Sequence, residues 1–282
     1  MKKKIERMPK RWFYFTVLSL VFTSFTASTL MAKRPPKPEP VKELRPGLLM
    51  GYLPTRVIMG EIMELIPAPP EEQSAAYLLD RKVNSKSMAQ RGTARWKQAT
   101  IDADLHFPDA AGIFSCAIDA PVTEKETPYL YQLLRRTLTD AGLSTYGAKD
   151  KYKRPRPFIV NKQPICSPEI QEKLGKQGSY PSGHTAIGWA WALILTEIAP
   201  DRSTEILARG RSFGESRLVC NVHWLSDVME GRFAASATVA KLHGDPAFLN
   251  DLQAAKEEYT AIVAKGLKPS RDCKAEAAAL AE

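Results

Sequence analysis

Apolar residues recur at three- and four-residue intervals through most of the chain beyond residue 70, and no stretch alternates apolar and polar positions as a half-buried strand would. The pattern predicts helices over 71–90, with Ala75, Ala76, Leu78, Leu79 and Val83 inward, and over 93–103. It continues over 127–141, where Tyr129, Leu130, Leu133, Leu134 and Leu138 form one stripe, and over 201–219. Residues 246–266 read as an amphipathic helix rich in Lys and Glu. Between 48 and 70 the chain is apolar but broken by prolines and glycines.

Two segments are more apolar than a surface helix should be. Residues 187–198 carry Trp189, Trp191, Leu193, Ile194 and Leu195 almost all round, which predicts the buried centre of a bundle. That run is too short for a membrane span. A second inner helix is expected over 223–242, with Leu225, Met229, Phe233, Ser236 and Ala240 on one face, Val228, Ala235 and Val239 beside it, and Gly231 at a close helix contact. The expected fold is therefore all-α: a compact helical bundle with two buried central helices.

The ends differ from this middle. Lys2, Lys3, Lys4, Arg7, Lys10 and Arg11 precede an uncharged run over 12–32, the pattern of a secretory signal peptide over 1–32 with cleavage between Ala27 and Ala32. An uncleaved anchor is the other reading, because 21 uncharged residues just suffice to cross a bilayer. The segment 33–47 is proline-rich and charged and reads as a tether; a folded domain over 48–265 and a tail over 266–282 follow. Export to the periplasm or beyond is expected, with no membrane association of the mature form unless the leader stays attached.

Net charge is +9, but without the first 32 residues 34 basic and 30 acidic side chains remain. So mild an excess, with no basic stripe interleaved with aromatics, argues against nucleic acid and leaves small anionic substrates. Cys116, Cys166, Cys220 and Cys273 permit two disulfides in an exported chain, and their three connectivities stay open. No Cys/His spacing suggests a metal, and no cofactor is implied. The sequence is open to a homo-oligomer.

Three stretches carry candidate chemistry. In Ser179-Tyr180-Pro181-Ser182-Gly183-His184-Thr185, Ser182 is a good N-cap for the apolar helix, and Gly183 allows close approach. Unpaired first-turn amides and the positive helix end make such a start an anion cradle for a phosphate, with His184 beside it as a proton donor. The basic segment from Lys149 to Pro157 offers Lys149 and Arg156 to non-bridging phosphate oxygens, while Lys151, Lys153 and Arg154 read as a solvated charged turn. In the third stretch, Ser216 to Asp227, a helix starting at His223 would put His223 and Asp227 on one face. The carboxylate would then fix one imidazole nitrogen and leave the other nucleophilic. Arg217 stands six residues before His223, about 120° round an unbroken helix, so a break is predicted between Leu218 and Val222. Ser216 reads as a packing or capping residue, and His106 and His243 as structural or solvated.

Together, K-x6-RP at Lys149 to Pro157, PSGH at Pro181 to His184 and SR-x5-H-x3-D at Ser216 to Asp227 resemble the signature of the type 2 phosphatidic acid phosphatase superfamily. The flanking text GSYPSGHTAIGW and SRLVCNVHWLSDV is most similar to bacterial class A non-specific acid phosphatases, over about 65–252. The resemblance implies His223 as the nucleophile, Asp227 as its orienting partner and His184 as the acid for the leaving alcohol. Lys149, Arg156, Ser182, Gly183 and Arg217 would hold the phosphoryl group of a small phosphate monoester, without metal or cofactor. An acidic optimum is expected, because His184 must be protonated to donate. Rival readings of the same motifs are a vanadate-dependent haloperoxidase, a membrane lipid phosphatase, which the lack of multiple spans disfavours, and a non-catalytic phosphate-binding protein.

Overall fold

The computed structural model describes residues 35–281; the expected leader lies outside the described residues. In chain order its longer helices are α1 (Ala75–Ser87), α2 (Ala94–Ile101), α3 (Pro128–Leu143) and the short α4 (Tyr146–Tyr152) and α5 (Pro157–Asn161). There follow α6 (Gly183–Ile198), α7 (Ser203–Val219), α8 (Leu225–Leu242), α9 (Pro246–Ala264) and α10 (Cys273–Ala281). Among the described residues the only sheet is an antiparallel pair, β1 (Glu43–Arg45) with β2 (Leu48–Leu49). The protein is an all-α bundle.

Helix α6 is its axis, packed against α7, α8 and α3. Its apolarity is used on most sides: Ala186, Ala190, Trp191, Ala192, Ile194 and Leu195 are fully buried, and Trp189 and Leu193 form a partly buried stripe. The Trp191 indole donates to the Leu134 carbonyl at 3.1 Å, which satisfies the one polar atom that this large side chain brings into the core. Small residues set how closely α6 meets its neighbours. A Cβ on Gly188 would lie 2.1 Å from Phe213 Cδ1, and one on Gly231 would lie 2.6 Å from the Ser182 carbonyl oxygen, so α8 crosses the start of α6 almost backbone to backbone.

Two helices turn faces other than those expected. In α1, Leu78 and Leu79 are 57% and 48% exposed, whereas Asp80 and Asn84 are buried. The reason is polar: Asp80 accepts from Ser226 and Arg154, and Asn84 donates to Asn221 at 2.9 Å. In α8, Met229 and Phe233 are exposed, and the inward face is Val228, Gly231, Ala234, Ala235, Thr238 and Val239. Close approach to α6 selects the small side chains over the large ones.

Residues 35–39 of the proline-rich segment run beside α3, where the Tyr129 hydroxyl donates to the Pro35 carbonyl at 2.9 Å and Gln132 to that of Glu39 at 3.1 Å. The open disulfide connectivity resolves into Cys166–Cys220 and Cys116–Cys273. The second bond anchors α10, within a tail that carries no sequence signal, beside the short helix Ser115–Ile118.

Gly188→Ala should lower the unfolding free energy by about 1–3 kcal/mol, seen as a lower urea midpoint with unchanged slope, because the buried Phe213 ring must move to admit the methyl group. Wild-type stability in this variant would contradict the packing described.

Candidate active site

The predicted break lies between α7 and α8. Helix α7 ends at Val219, Cys220 caps it, and Asn221 takes a left-handed φ of 62°. Asn221 is held by Asn84, Asn161 and the Gln163 carbonyl, so a non-glycine residue is stabilised in this conformation by side-chain hydrogen bonds. The amides of Val222 and His223 fold back onto the Arg217 carbonyl at 3.2 and 3.3 Å, which brings the two ends of the motif together.

Helix α8 starts two residues later than expected, with Trp224 as its N-cap, so His223 stands outside the helix. The His–Asp pairing is accordingly a cap, not a helical i,i+4 contact. Asp227, in the first turn, accepts from the Trp224 amide at 2.8 Å, and the same oxygen, Oδ2, lies 3.3 Å from His223 Nδ1. On the far side of the ring, Nε2 is 3.1 Å from Arg156 Nη1. A guanidinium can only donate, so Nε2 accepts and the proton sits on Nδ1. The imidazole is thus neutral with its Nε2 lone pair aimed at a cation.

At the start of α6, Ser182 is the expected N-cap: its Oγ accepts from the Thr185 amide at 3.3 Å and the Thr185 hydroxyl at 2.9 Å. Its own amide donates to the Asp227 carbonyl at 2.9 Å, which fastens this loop to α8. Gly183 packs closely: a Cβ there would meet Thr145 Oγ1 tightly, at 3.2 Å, and Lys149 Cε in ordinary contact, at 4.0 Å. His184 donates from Nε2 to the Ala103 carbonyl at 3.0 Å, because a carbonyl can only accept, and Nδ1 is the nitrogen left for other chemistry.

Three cations join these groups. Lys149 Nζ bonds the carbonyls of Gly178, Ser179 and Pro181, at 3.3, 3.1 and 2.5 Å. Arg156 holds the carbonyls of Leu174, Gly178 and Val222 besides His223. Arg217 is 1% exposed, yet its Nε and Nη1 have no hydrogen-bond partner. Burial presses all of them down, and Arg156 repels the other two: Lys149 falls to about 7, by burial and then Arg156; Arg217 to about 9, by burial and then Arg156; Arg156 to about 10, by burial. Burial, followed by Arg217, lowers His184 well below the ordinary histidine range, and burial, followed by Arg156, Lys149 and Arg217, does the same to His223. The three cations outnumber the one carboxylate among them, Asp227, so the cluster fits an anion.

Sequence reasoning missed the residues behind Asp227. Arg154, expected in solvent, is buried: Nη1 donates to Asp227 Oδ1 at 2.6 Å and to Ser226 at 2.7 Å, and Nη2 to Asp80 at 2.7 Å. Burial pushes the Asp227 carboxyl upward, and Arg154, the Trp224 amide and Lys149 pull against it. Its position in a run of five basic residues hides this role; the nearest signal is the inward-facing Asp80 on an otherwise amphipathic helix. Ser216 also does more than cap, donating to the buried Asp102. His106 and His243 lie elsewhere, paired with Asp104 and with Glu197.

The chain is similar to known proteins. The PAP2 superfamily model matches residues 129–244, a range that contains every one of the three motifs. A non-specific acid phosphatase of Providencia stuartii is 46% identical over 71% of this chain and 81% of its own. An acid phosphatase of Zymomonas mobilis is 43% identical over 67% and 72%, and a non-specific acid phosphatase of Salmonella typhimurium 42% identical over 68% and 78%. The chain belongs to the PAP2 superfamily. The Asp80–Arg154–Asp227 contacts hold the carboxylate that faces His223 Nδ1, and no described helix is long and apolar enough to cross a membrane.

Arg154→Met should cost about 3–5 kcal/mol in urea unfolding, because it strands two buried carboxylates, Asp80 and Asp227. A loss below 1 kcal/mol, on the order of a surface ion pair, would contradict this arrangement.

Proposed function

We propose that the protein is an acid phosphatase, a phosphoric monoester hydrolase working through a phosphohistidine on His223. The observation that carries the reading is the His223 ring itself: Nδ1 tied to Asp227, and the Nε2 lone pair directed at the Arg156 guanidinium. When a phosphate dianion takes over the guanidinium hydrogen bond, Nε2 faces phosphorus. Its lone pair forms the P–N bond while the ester P–O bond breaks, and the Nδ1–H···Asp227 contact stabilises the imidazolium that develops.

His184 gives its proton to the departing alcohol oxygen. It then takes a proton from water, whose oxygen attacks phosphorus and breaks the P–N bond, releasing inorganic phosphate. With an alcohol in place of water the same second step transfers the phosphoryl group. Arg217, with two unpartnered N–H groups, Lys149, Arg156, the Ser182 hydroxyl and the first amides of α6 at Gly183 and His184 stabilise the equatorial oxygens. This positive field replaces the one a metal would supply, so the reading requires none. The cradle contacts only the phosphoryl group, in keeping with broad specificity among monoesters.

The names of the relatives support this activity, and the basic and then apolar N-terminal sequence, with both cysteine pairs bonded, supports a periplasmic or secreted enzyme.

Hydrolysis of an aryl phosphate in EDTA tests the mechanism. The wild type should remain fully active, His184→Ala should lose about 10²–10⁴-fold, and His223→Ala should lose at least as much. Since the free-enzyme pKa of His184 lies well below the ordinary histidine range and its acid form is the donor, kcat/KM should already fall as pH rises through the acid range below neutrality, and should keep falling above it. A rate still climbing above neutral pH, loss of activity in EDTA, or an active His223→Ala would refute it.

A further inference from the structure

Behind His184 lies a buried polar cluster that the proposed chemistry does not touch. Asp102, fully buried just past the end of α2, accepts from Gln98 Nε2 at 3.0 Å and from the Ser216 hydroxyl at 2.5 Å. Arg209 grips the same carboxylate with both terminal nitrogens, at 2.5 and 3.2 Å. On its remaining edge Arg209 Nε meets Glu276 Oε1 of α10 at 3.3 Å. Arg95 reaches the Ser216 hydroxyl at 2.9 Å.

The position of this cluster gives it a consequence for the site. The residue after Asp102 is Ala103, whose carbonyl receives the Nε2–H of His184. That bond decides which ring nitrogen carries the fixed proton and which, Nδ1, exchanges one with substrate. The residue after Ser216 is Arg217, the cation with unpartnered buried N–H groups. One carboxylate therefore holds both the carbonyl that aims His184 and the turn of α7 that carries Arg217. Ordinary fold stability would need neither link: a buried carboxylate with this many donors is a costly way to join α2 to α7 unless its placement matters.

We infer that Asp102 is a positioning residue for the His184 proton donor, and that α10, through Glu276 and Arg209 and under the Cys116–Cys273 bond, belongs to its mounting. Asp102 acts through Ala103 and Ser216 and touches no substrate. The inference rests on the reading of His184 as leaving-group acid given above. It extends the working part of the enzyme to a helix beyond the matched family range.

Leaving-group dependence separates positioning from mere support. A weakened proton donor slows esters of poorly acidic alcohols and spares those whose anions leave unaided; a damaged fold slows every substrate alike. Steady-state kinetics should compare phenyl phosphate with 2,4-dinitrophenyl phosphate for wild type, His184→Ala, Asp102→Asn and Glu276→Gln. Asp102→Asn should lose about 10²-fold in kcat/KM on the phenyl ester and only about three-fold on the dinitrophenyl ester, and Glu276→Gln should show the same divergence in smaller measure. Should Asp102→Asn fail to fold, Glu276→Gln decides alone. Equal losses on both esters, or wild-type rates on both, in the folded variants would overturn the inference if His184→Ala itself shows the divergence. If His184→Ala shows none, the reading of His184 falls and the inference falls with it.

Discussion

The Asp227 carboxylate is the constraint from which most of the structure near the site follows. It caps the first turn of α8, orients His223 through Nδ1, and accepts from Arg154, whose other nitrogen is committed to Asp80 on α1. Its own carbonyl holds the Ser182 amide, so the loop before α6 is fixed to the start of α8 by the residue that fixes the histidine. Gly231 makes that junction possible, since any larger residue would drive α8 off the Ser182 backbone. Both helix starts meet at one place with their positive ends toward it.

What converges there is an excess of buried positive charge. Burial and then Arg156 depress Lys149 and Arg217, burial and the arginines depress both histidines, and the nearby carboxylate, Asp227, is already occupied by Arg154. Such an arrangement opposes folding, because buried charge without a partner is costly. The core around Trp191 and the two disulfides offset it. In the mechanism proposed above, a phosphate dianion relieves the repulsion on binding, and the added charge of a trigonal-bipyramidal phosphoryl group relieves it further, which is the preference catalysis requires.

Much of this was legible in the chain. The three motifs name the groups that meet, and the unbroken apolarity of 187–198 identifies the central helix without ambiguity. The break after Leu218 followed from geometry, because Arg217 and His223 cannot face one site on a continuous helix. What stayed hidden shares one cause: buried polar residues look like surface. Asp80 and Asn84 give α1 the pattern of a helix turned the other way, and Arg154 in a basic run reads as solvated until its two carboxylates are seen. Met229 and Phe233 misdirect the reading of α8 because small residues outcompete large ones where backbones must touch. The tail is one cysteine in an alanine-rich run with scattered charges, and its attachment depends on a pairing that spacing alone leaves open.

The central claim is that phosphorus is bonded to His223 during turnover. Rapid acid-free quenching of the wild type with an aryl phosphate, followed by peptide mass spectrometry at alkaline pH, tests it directly. The account predicts one phosphoryl group on the peptide containing His223, stable in alkali, lost in acid and absent from His223→Ala. Turnover with no covalent phosphate on the enzyme, or with the phosphate on any other residue, would contradict it.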